Sequence, residues 1–180
     1  MMKKLAMLIF IMIVGIAITT GCLPSKNDVD GFAEMLKNKT EYIGDNSKVA
    51  ALLATLPELI PEFKQHFFSI KSEGINGLTV FFEPASLEKV TSFSYNPEVI
   101  QTYAAMLFAF IGNAEEITFM VRDTAATAEL VESEYQQFAH FTREETVSKF
   151  GDLGQFFVKE KFNKLIEEAQ NQMESVFNFK

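Results

Sequence analysis

The stretch NPEVIQTYAAMLFAFIGNAEEITFMVRD, residues 96–123, decides the fold because a helix and a strand follow each other in it. Asn96 is a preferred helix N-cap, and Pro97 suits the first helical position. The apolar residues that follow recur at helical spacing up to Gly112 and Asn113, which are typical of a helix end. EEITFMVRD then alternates apolar and polar residues, as a strand with one buried face does. The stretch predicts a well-bounded helix that leads directly into a strand.

The segments on either side predict the other elements of one sheet and its helices. Helical spacing and capping residues predict helices over residues 47–56, from 143 to about 150, and over 155–176. Aromatic and β-branched runs predict strands over residues 63–71, 78–83 and 135–141. Residues 124–134 have a helical composition but lie where a hairpin connection between two strands is expected, so the sequence does not decide between the two conformations. We predict an α+β fold, a small antiparallel four-stranded sheet in the order helix-β-β-helix-β-β-helix, with helices packed on one face.

The N-terminus has the parts of an export signal. Lys3 and Lys4 form a basic start, and the apolar run over residues 5–18 is too short to span a membrane. Small and polar residues then lead to Cys22, the one cysteine of the chain. This arrangement resembles the lipobox of bacterial lipoproteins, in which the cysteine receives a diacylglycerol and the leader is cut before it. Thr19 departs from the usual Leu, Ile or Val of that motif, and an uncleaved anchor or an ordinary secretory signal are the alternatives.

The lipobox resemblance divides the chain into three parts. Residues 1–21 are a predicted lipoprotein signal peptide, residues 22–39 a tether, and residues 40–180 a single α+β domain. The tether prediction depends on the Pro, Gly and polar residues of CLPSKNDVDG, and GFAEMLKNKT, residues 31–40, can form one or two helical turns next. Lipid on Cys22 would attach the protein to the extracytoplasmic face of the cell membrane.

Composition limits the possible partners. The predicted leader carries two lysines and no acidic residue, so its removal takes the formal net charge from −8 to −10. An acidic surface argues against binding nucleic acid. One cysteine excludes an intrachain disulfide, and 19 phenylalanines are enough to build a core without cross-links.

No motif in the chain specifies a reaction. His66 and His140, the two histidines, each lie in a predicted strand among aromatic residues, and neither an HExxH nor a GxSxG motif occurs. We predict no catalytic residue, no metal site and no cofactor. Gly44, Asp45, Asn46 and Ser47 form a turn at a helix start. The turn either presents backbone N–H groups to an anion or caps its own helix, and self-capping is the favoured interpretation.

Two stretches resemble the domain-of-unknown-function family 4825, which is found in lipoproteins of Gram-positive bacteria. KTEYIGDNSKVAALLATLP resembles the family's opening, and AAMLFAFIGNAEEITF resembles its helix end followed by Asn113 and a strand. FTREETVSKFG resembles a later step from strand to helix, so that the likeness covers about residues 39–169. Gly112 departs from the Asp expected before Asn113. The resemblance implies no catalytic residues, and the family's attachment to membrane metallopeptidases of the antibiotic-sensor type implies an extracytoplasmic sensing or docking role.

The sequence therefore predicts a membrane-anchored bacterial lipoprotein that acts as a non-catalytic binding, sensing or regulatory module. Its partners would be the membrane, through lipid on Cys22, and an envelope membrane protein. Gly44, Asp45, Asn46, Ser47 and Asn113 form the candidate ligand-binding or structural motif. The alternatives are a hydrolase of cell-wall or peptide material, in which His66, His140 and acids would have to converge, and a small solute-binding lipoprotein.

Overall fold

The computed structural model describes residues 30–60, 63–85, 96–123 and 130–177. The predicted signal peptide, Cys22 and the first part of the tether lie outside these residues. Within the described ranges, no helix has the length and apolar character needed to cross a bilayer.

The described residues form an α+β fold of four strands and five α-helices. The helices are α1 (Gly31–Lys37), α2 (Asn46–Thr55), α3 (Pro97–Phe110), α4 (Arg143–Phe150) and α5 (Lys159–Phe177). The strands are β1 (Phe63–Lys71), β2 (Gly77–Pro84), β3 (Glu116–Val121) and β4 (Gln136–Thr142). Two short 3-10 helices, Glu132–Glu134 and Leu153–Phe157, precede β4 and α5.

Helix α3 follows its predicted bounds closely. The Asn96 side chain caps it by accepting a hydrogen bond of 2.9 Å from the Glu98 amide, and Pro97 begins it. Every residue from Val99 to Phe110 except Gln101 is buried, because the helix contacts β4 on one side and α4, α5 and the 3-10 helix before α5 on others. The helix predicted from the opening stretch is thus the centre of the core.

The sheet is mixed, so the prediction of an antiparallel sheet is wrong. Its strands lie in the order β1-β2-β3-β4, and β2 pairs with β3 in parallel, whereas the two outer pairs are antiparallel. The physical reason is α3. A helix of this length between two neighbouring strands carries the chain back across the sheet, and the next strand then runs in the same direction as the first.

The element order also differs from the prediction at the N-terminus. Residues 31–37 of the predicted tether form α1, which buries Phe32 and Met35 in the core. The Phe32 ring lies 5.3 Å from that of Phe162 on α5, between ring centroids. The sequence does not decide the conformation of residues 124–134. This segment ends in the 3-10 helix Glu132–Glu134, and residues 124–129 lie outside the described ranges.

The step from β4 to α4 has the predicted capping box. The Thr142 side chain accepts from the Glu145 amide at 3.2 Å, and the Glu145 carboxylate accepts from the Thr142 amide at 3.0 Å. These bonds to Thr142 lower the pKa of Glu145 below the ordinary value for a glutamate.

One hydrophobic core joins the helices to one face of the sheet. The sheet contributes the buried side chains Leu78, Val80 and Phe82 from β2 and Ile117, Phe119 and Val121 from β3. These are alternate residues of two neighbouring central strands, which places them on the same face. The opposite face carries Phe81, Glu83 and Arg122.

Candidate functional site

The structure brings the predicted motif residues together beside the end of α3. Asn113 Oδ1 accepts a hydrogen bond of 2.6 Å from the Ile43 amide, at the start of the Gly-Asp-Asn-Ser turn. Asp45 caps α2 by accepting from the Lys48 amide at 3.2 Å, and Asn46 and Ser47 are the first residues of that helix. The Asp45 carboxylate therefore accepts from one of the backbone amides at the helix start that an anion would need. This agrees with the self-capping interpretation.

The chain before the turn is held along the C-terminal end of α3. The Thr40 amide donates to the Phe110 carbonyl at 2.9 Å, and the Gly112 amide donates to the Thr40 carbonyl at 2.8 Å. A Cβ at Gly112 would lie 2.5 Å from Glu41 Oε2 and 3.1 Å from Glu41 Cα. Glycine is therefore needed at position 112 because another segment of backbone passes directly over it.

Tyr42 projects from this clamped segment into solvent. Its side chain is exposed, with 72% of the residue accessible, whereas the next residue, Ile43, is buried. The Tyr42 carbonyl accepts from the Asp45 amide at 3.1 Å, and its amide donates to Thr40 Oγ1 at 3.2 Å. An exposed aromatic ring on an ordered backbone can enter an interface with little loss of backbone entropy.

A depression of about 290 Å³ lies beside this segment, between Glu41, Gly112 and Val147. Four of the six exposed large hydrophobic residues in the described ranges belong to chain segments that line the depression or directly adjoin its lining residues in sequence, namely Leu36, Tyr42, Val147 and Val158. Val147 lines the depression, while Tyr42 and Val158 directly follow the lining residues Glu41 and Phe157. Leu36 accepts through its carbonyl from the amide of the lining residue Lys39. We call these four residues and the depression the Tyr42 surface.

The charged side chains that line the depression include Arg143 and the pair Lys39 and Glu41. Arg143 donates from Nε to the Ala114 carbonyl at 2.6 Å and from Nη2 to the Ile111 carbonyl at 2.7 Å. Burial lowers the pKa of Arg143, although an arginine remains a cation in proteins. Lys39 Nζ lies 3.3 Å from the Glu41 carboxylate. A partner at the depression would meet exposed apolar side chains such as Val147 together with the solvent-accessible pair of Lys39 and Glu41.

Replacing Asn113 with alanine is expected to lower the free energy of unfolding by about 1–3 kcal/mol, because it leaves the buried Ile43 amide without its acceptor. Hydrogen exchange should show faster exchange at the Ile43 amide. Asn113→Asp keeps an acceptor at the same place and serves as the control. Unchanged exchange at Ile43 in Asn113→Ala would contradict this role of the side chain.

A second group of residues, which was not predicted from the sequence, is a buried polar cluster on the opposite face of the sheet. Glu83 at the end of β2 is fully buried. Arg122 Nη2 lies 3.0 Å from Glu83 Oε1, so that the two groups form an ion pair, but the geometry is not that of a hydrogen bond. The Tyr135 hydroxyl donates to the same oxygen. Arg122 Nη1 donates to Glu134 at 2.7 Å, so the cluster joins the ends of β2 and β3 to the start of β4. Burial and the Glu83 carboxylate raise the pKa of Tyr135 well above its ordinary value.

His66 extends this cluster to the edge strand β1. Its Nδ1 lies 2.8 Å from Glu83 Oε2, and about a third of its side chain is exposed (35%). The register of β1 shifts between Gln65 and Phe67, so His66 is the additional residue of a β-bulge. The His66 and Phe67 rings stack on each other, 4.3 Å between centroids. We call this group the Glu83 cluster; its members are His66, Glu83, Arg122, Glu134 and Tyr135.

The two histidines lie at opposite edges of the sheet. His66 is on β1, and His140 is on β4, where its Nδ1 contacts Thr118 Oγ1 at 3.0 Å. Three strand spacings separate these strands, or about 14 Å. The convergence of His66 and His140 that the hydrolase alternative requires is therefore not formed. Among the described residues, no group of three or more His, Cys, Asp or Glu side chains could hold a metal ion.

These features define a small α+β domain with a mixed four-stranded sheet, a clamped turn beside α3 and a buried ionic cluster on the other sheet face. The chain belongs to the family described as domain of unknown function (DUF4825), whose model matches residues 35–137. The match covers more than half of the 180 residues and confirms the resemblance stated on the motifs within it. Comparison with curated proteins and with solved structures gives no match.

Proposed function

We propose that this protein is a membrane-anchored bacterial lipoprotein whose domain is a non-catalytic binding and regulatory module on the extracytoplasmic side. In this proposal, the Tyr42 surface contacts an envelope membrane protein. Lipid on Cys22 attaches the chain to the membrane, as the lipobox-like leader suggests.

The observation that carries the proposal is the exposed Tyr42 ring on a hydrogen-bonded backbone, directly after Glu41, which lines the depression. Val147, a second exposed apolar residue, lines the depression itself. Tyrosine is enriched among the residues that contribute most to binding. The hydrogen bonds of Thr40, Asp45 and Asn113 hold its backbone in place before any partner arrives.

The short chain before α1 supports a partner in the membrane. Seven residues lie between Cys22 and Asp30, the N-cap of α1, and the eight Cα-to-Cα steps span at most about 29 Å when fully extended. A domain attached in this way remains close to the bilayer. Membrane proteins with parts outside the bilayer are therefore the partners that it meets most often.

The small-solute alternative keeps one observation in its favour. The depression of about 290 Å³ has a volume close to the lower end of small-molecule pockets. A solute-binding role predicts that a small ligand protects the Val147 region in hydrogen exchange, whereas a docking role predicts protection by a protein. The hydrolase alternative has no comparable support, because the two histidines do not converge.

Crosslinking in intact cells, followed by affinity capture and mass spectrometry, tests the proposal. The wild type is expected to capture one membrane protein reproducibly, and both Cys22→Ala and Tyr42→Ala should lose it. Ile75→Ala is the matched control, because Ile75 is also exposed (44%) but lies in the turn between β1 and β2. Tyr42→Ala should change the free energy of unfolding by no more than about 0.5 kcal/mol. Equal capture by wild type and Tyr42→Ala would contradict the assignment of this surface.

A further inference from the structure

The Glu83 cluster holds an edge strand through one exposed, titratable side chain. Among the described residues, β1 pairs only with β2, and His66 is the residue of β1 that contacts the buried carboxylate of Glu83. The bulge at His66 interrupts the ladder at this point, so backbone pairing is weakest where the side chain makes its contact. The contact from His66 Nδ1 to Glu83 Oε2 therefore compensates locally for the irregular pairing.

Glu83 shares its one contacting cation with a second carboxylate when His66 is neutral. Arg122 is the one cation that contacts Glu83 or Glu134 in the described ranges; Glu83 is fully buried, whereas the Glu134 side chain is half exposed (50%). Lys64 pairs with Glu83 in the strand register, but it is exposed to solvent. A buried carboxylate whose negative charge is not fully balanced by nearby positive charge lowers the stability of the fold. Protonation of His66 brings the cluster to neutrality.

Neither Tyr135 nor Arg122 supplies a further positive charge to Glu83. Burial and the adjacent Glu83 carboxylate raise the pKa of Tyr135, so its hydroxyl stays a neutral donor. Arg122 remains a cation. An imidazole is the side chain that ordinarily changes charge between about pH 5 and pH 8. Among the described residues that contact Glu83, His66 is therefore the one whose ring can supply the further positive charge.

We propose that His66 is a proton-dependent latch that fastens β1 to the Glu83 cluster. In its protonated form the ring makes an ion pair with Glu83, and in its neutral form Nδ1 donates a hydrogen bond to the carboxylate without a positive charge on the ring. Acidification then tightens the β1 edge of the sheet, and neutral or alkaline medium loosens it. The latch is independent of the Tyr42 surface and of any partner.

Unfolding of the full chain by denaturant at about pH 5.5 and about pH 8.5 tests the latch. His66→Gln keeps a neutral donor, and it is expected to reduce the folding equilibrium constant about tenfold more at the lower pH than at the higher. His140→Gln is the control, since His140 contacts the Thr118 hydroxyl, and its effect should vary less with pH. In a Glu83→Gln background the pH dependence of the His66→Gln effect should disappear. An effect of His66→Gln that is equal at both pH values would overturn the proposal.

A second measurement keeps the proposal testable if Glu83→Gln does not fold. Nitrogen NMR of the wild type at about pH 8.5 distinguishes the two neutral tautomers of each ring. Because Nδ1 of His66 faces a carboxylate at 2.8 Å, the hydrogen must be on Nδ1. A His66 ring with its hydrogen on Nε2 would exclude the contact on which the latch depends.

Discussion

Replacing Glu83 with alanine is expected to lower the free energy of unfolding by about 3–5 kcal/mol. The substitution removes the carboxylate that meets Arg122, Tyr135 and His66, and it leaves the Arg122 guanidinium buried with Glu134 alone. Removing one partner of a buried ion pair costs more than the pair contributes, because the remaining charge stays out of water. The effect should therefore exceed that of any surface carboxylate.

Denaturant unfolding at neutral pH measures this effect. Glu116→Ala is a suitable control, because Glu116 is also a strand glutamate but is partly exposed, and its change should stay within about 0.5 kcal/mol. Glu83→Gln keeps the shape and loses only the charge, so an intermediate loss is expected. A Glu83→Ala protein as stable as Glu116→Ala would show that the cluster contributes nothing to the fold.

Replacing Phe119 with alanine is expected to cost about 3–5 kcal/mol. Phe119 is fully buried at the centre of β3, and its ring centroid lies 6.1 Å from those of Phe82 and Phe138 and 6.2 Å from that of Phe141. Truncation leaves a cavity between strands and helices that neighbouring rings cannot fill without leaving their own contacts. The same unfolding experiment measures the loss.

Phe119→Leu is the matched control, since it keeps most of the apolar volume and should cost less than about 1.5 kcal/mol. The two variants together separate the cavity from the loss of aromatic contacts. If alanine and leucine at position 119 gave equal losses, the aromatic packing described for this core would be wrong.

The elements with strong local signals were predictable from sequence. The Asn96 cap and Pro97 mark the start of α3, and the structure begins the helix at Pro97. The aromatic run of β1 is strand-like along its whole length, and its observed bounds equal the predicted ones. Caps and side-chain periodicity act over a few residues, so a single sequence contains them in full.

The parallel pairing of β2 and β3 was mispredicted, although a signal for it exists. A helix between two strands that lie side by side requires a crossover, and the predicted order already contained one. The order of elements along the chain does not specify which strands lie side by side, because this depends on contacts between distant parts of the chain. The same limit applies to α1, whose burial depends on Phe162, far along the sequence.

The two candidate sites differ in how far they could be predicted. Gly44, Asp45 and Asn113 were identified as a motif, and the structure brings the turn and Asn113 together through the Ile43 amide. The exposure of Tyr42 depends on which side of the turn faces the core, and no local pattern specifies this. The Glu83 cluster was missed, although an acidic and a basic residue at the ends of two apolar strands, Glu83 and Arg122, could have indicated it.

The central claim is that the Tyr42 surface binds a membrane protein of the cell envelope. A photo-crosslinking amino acid placed at position 42 of the full chain in living cells tests it most directly, with the same amino acid at position 75 as the control. We predict one specific adduct with a membrane protein from position 42 and none of that mass from position 75. Identical adduct patterns from both positions, or no adduct from position 42, would contradict the claim.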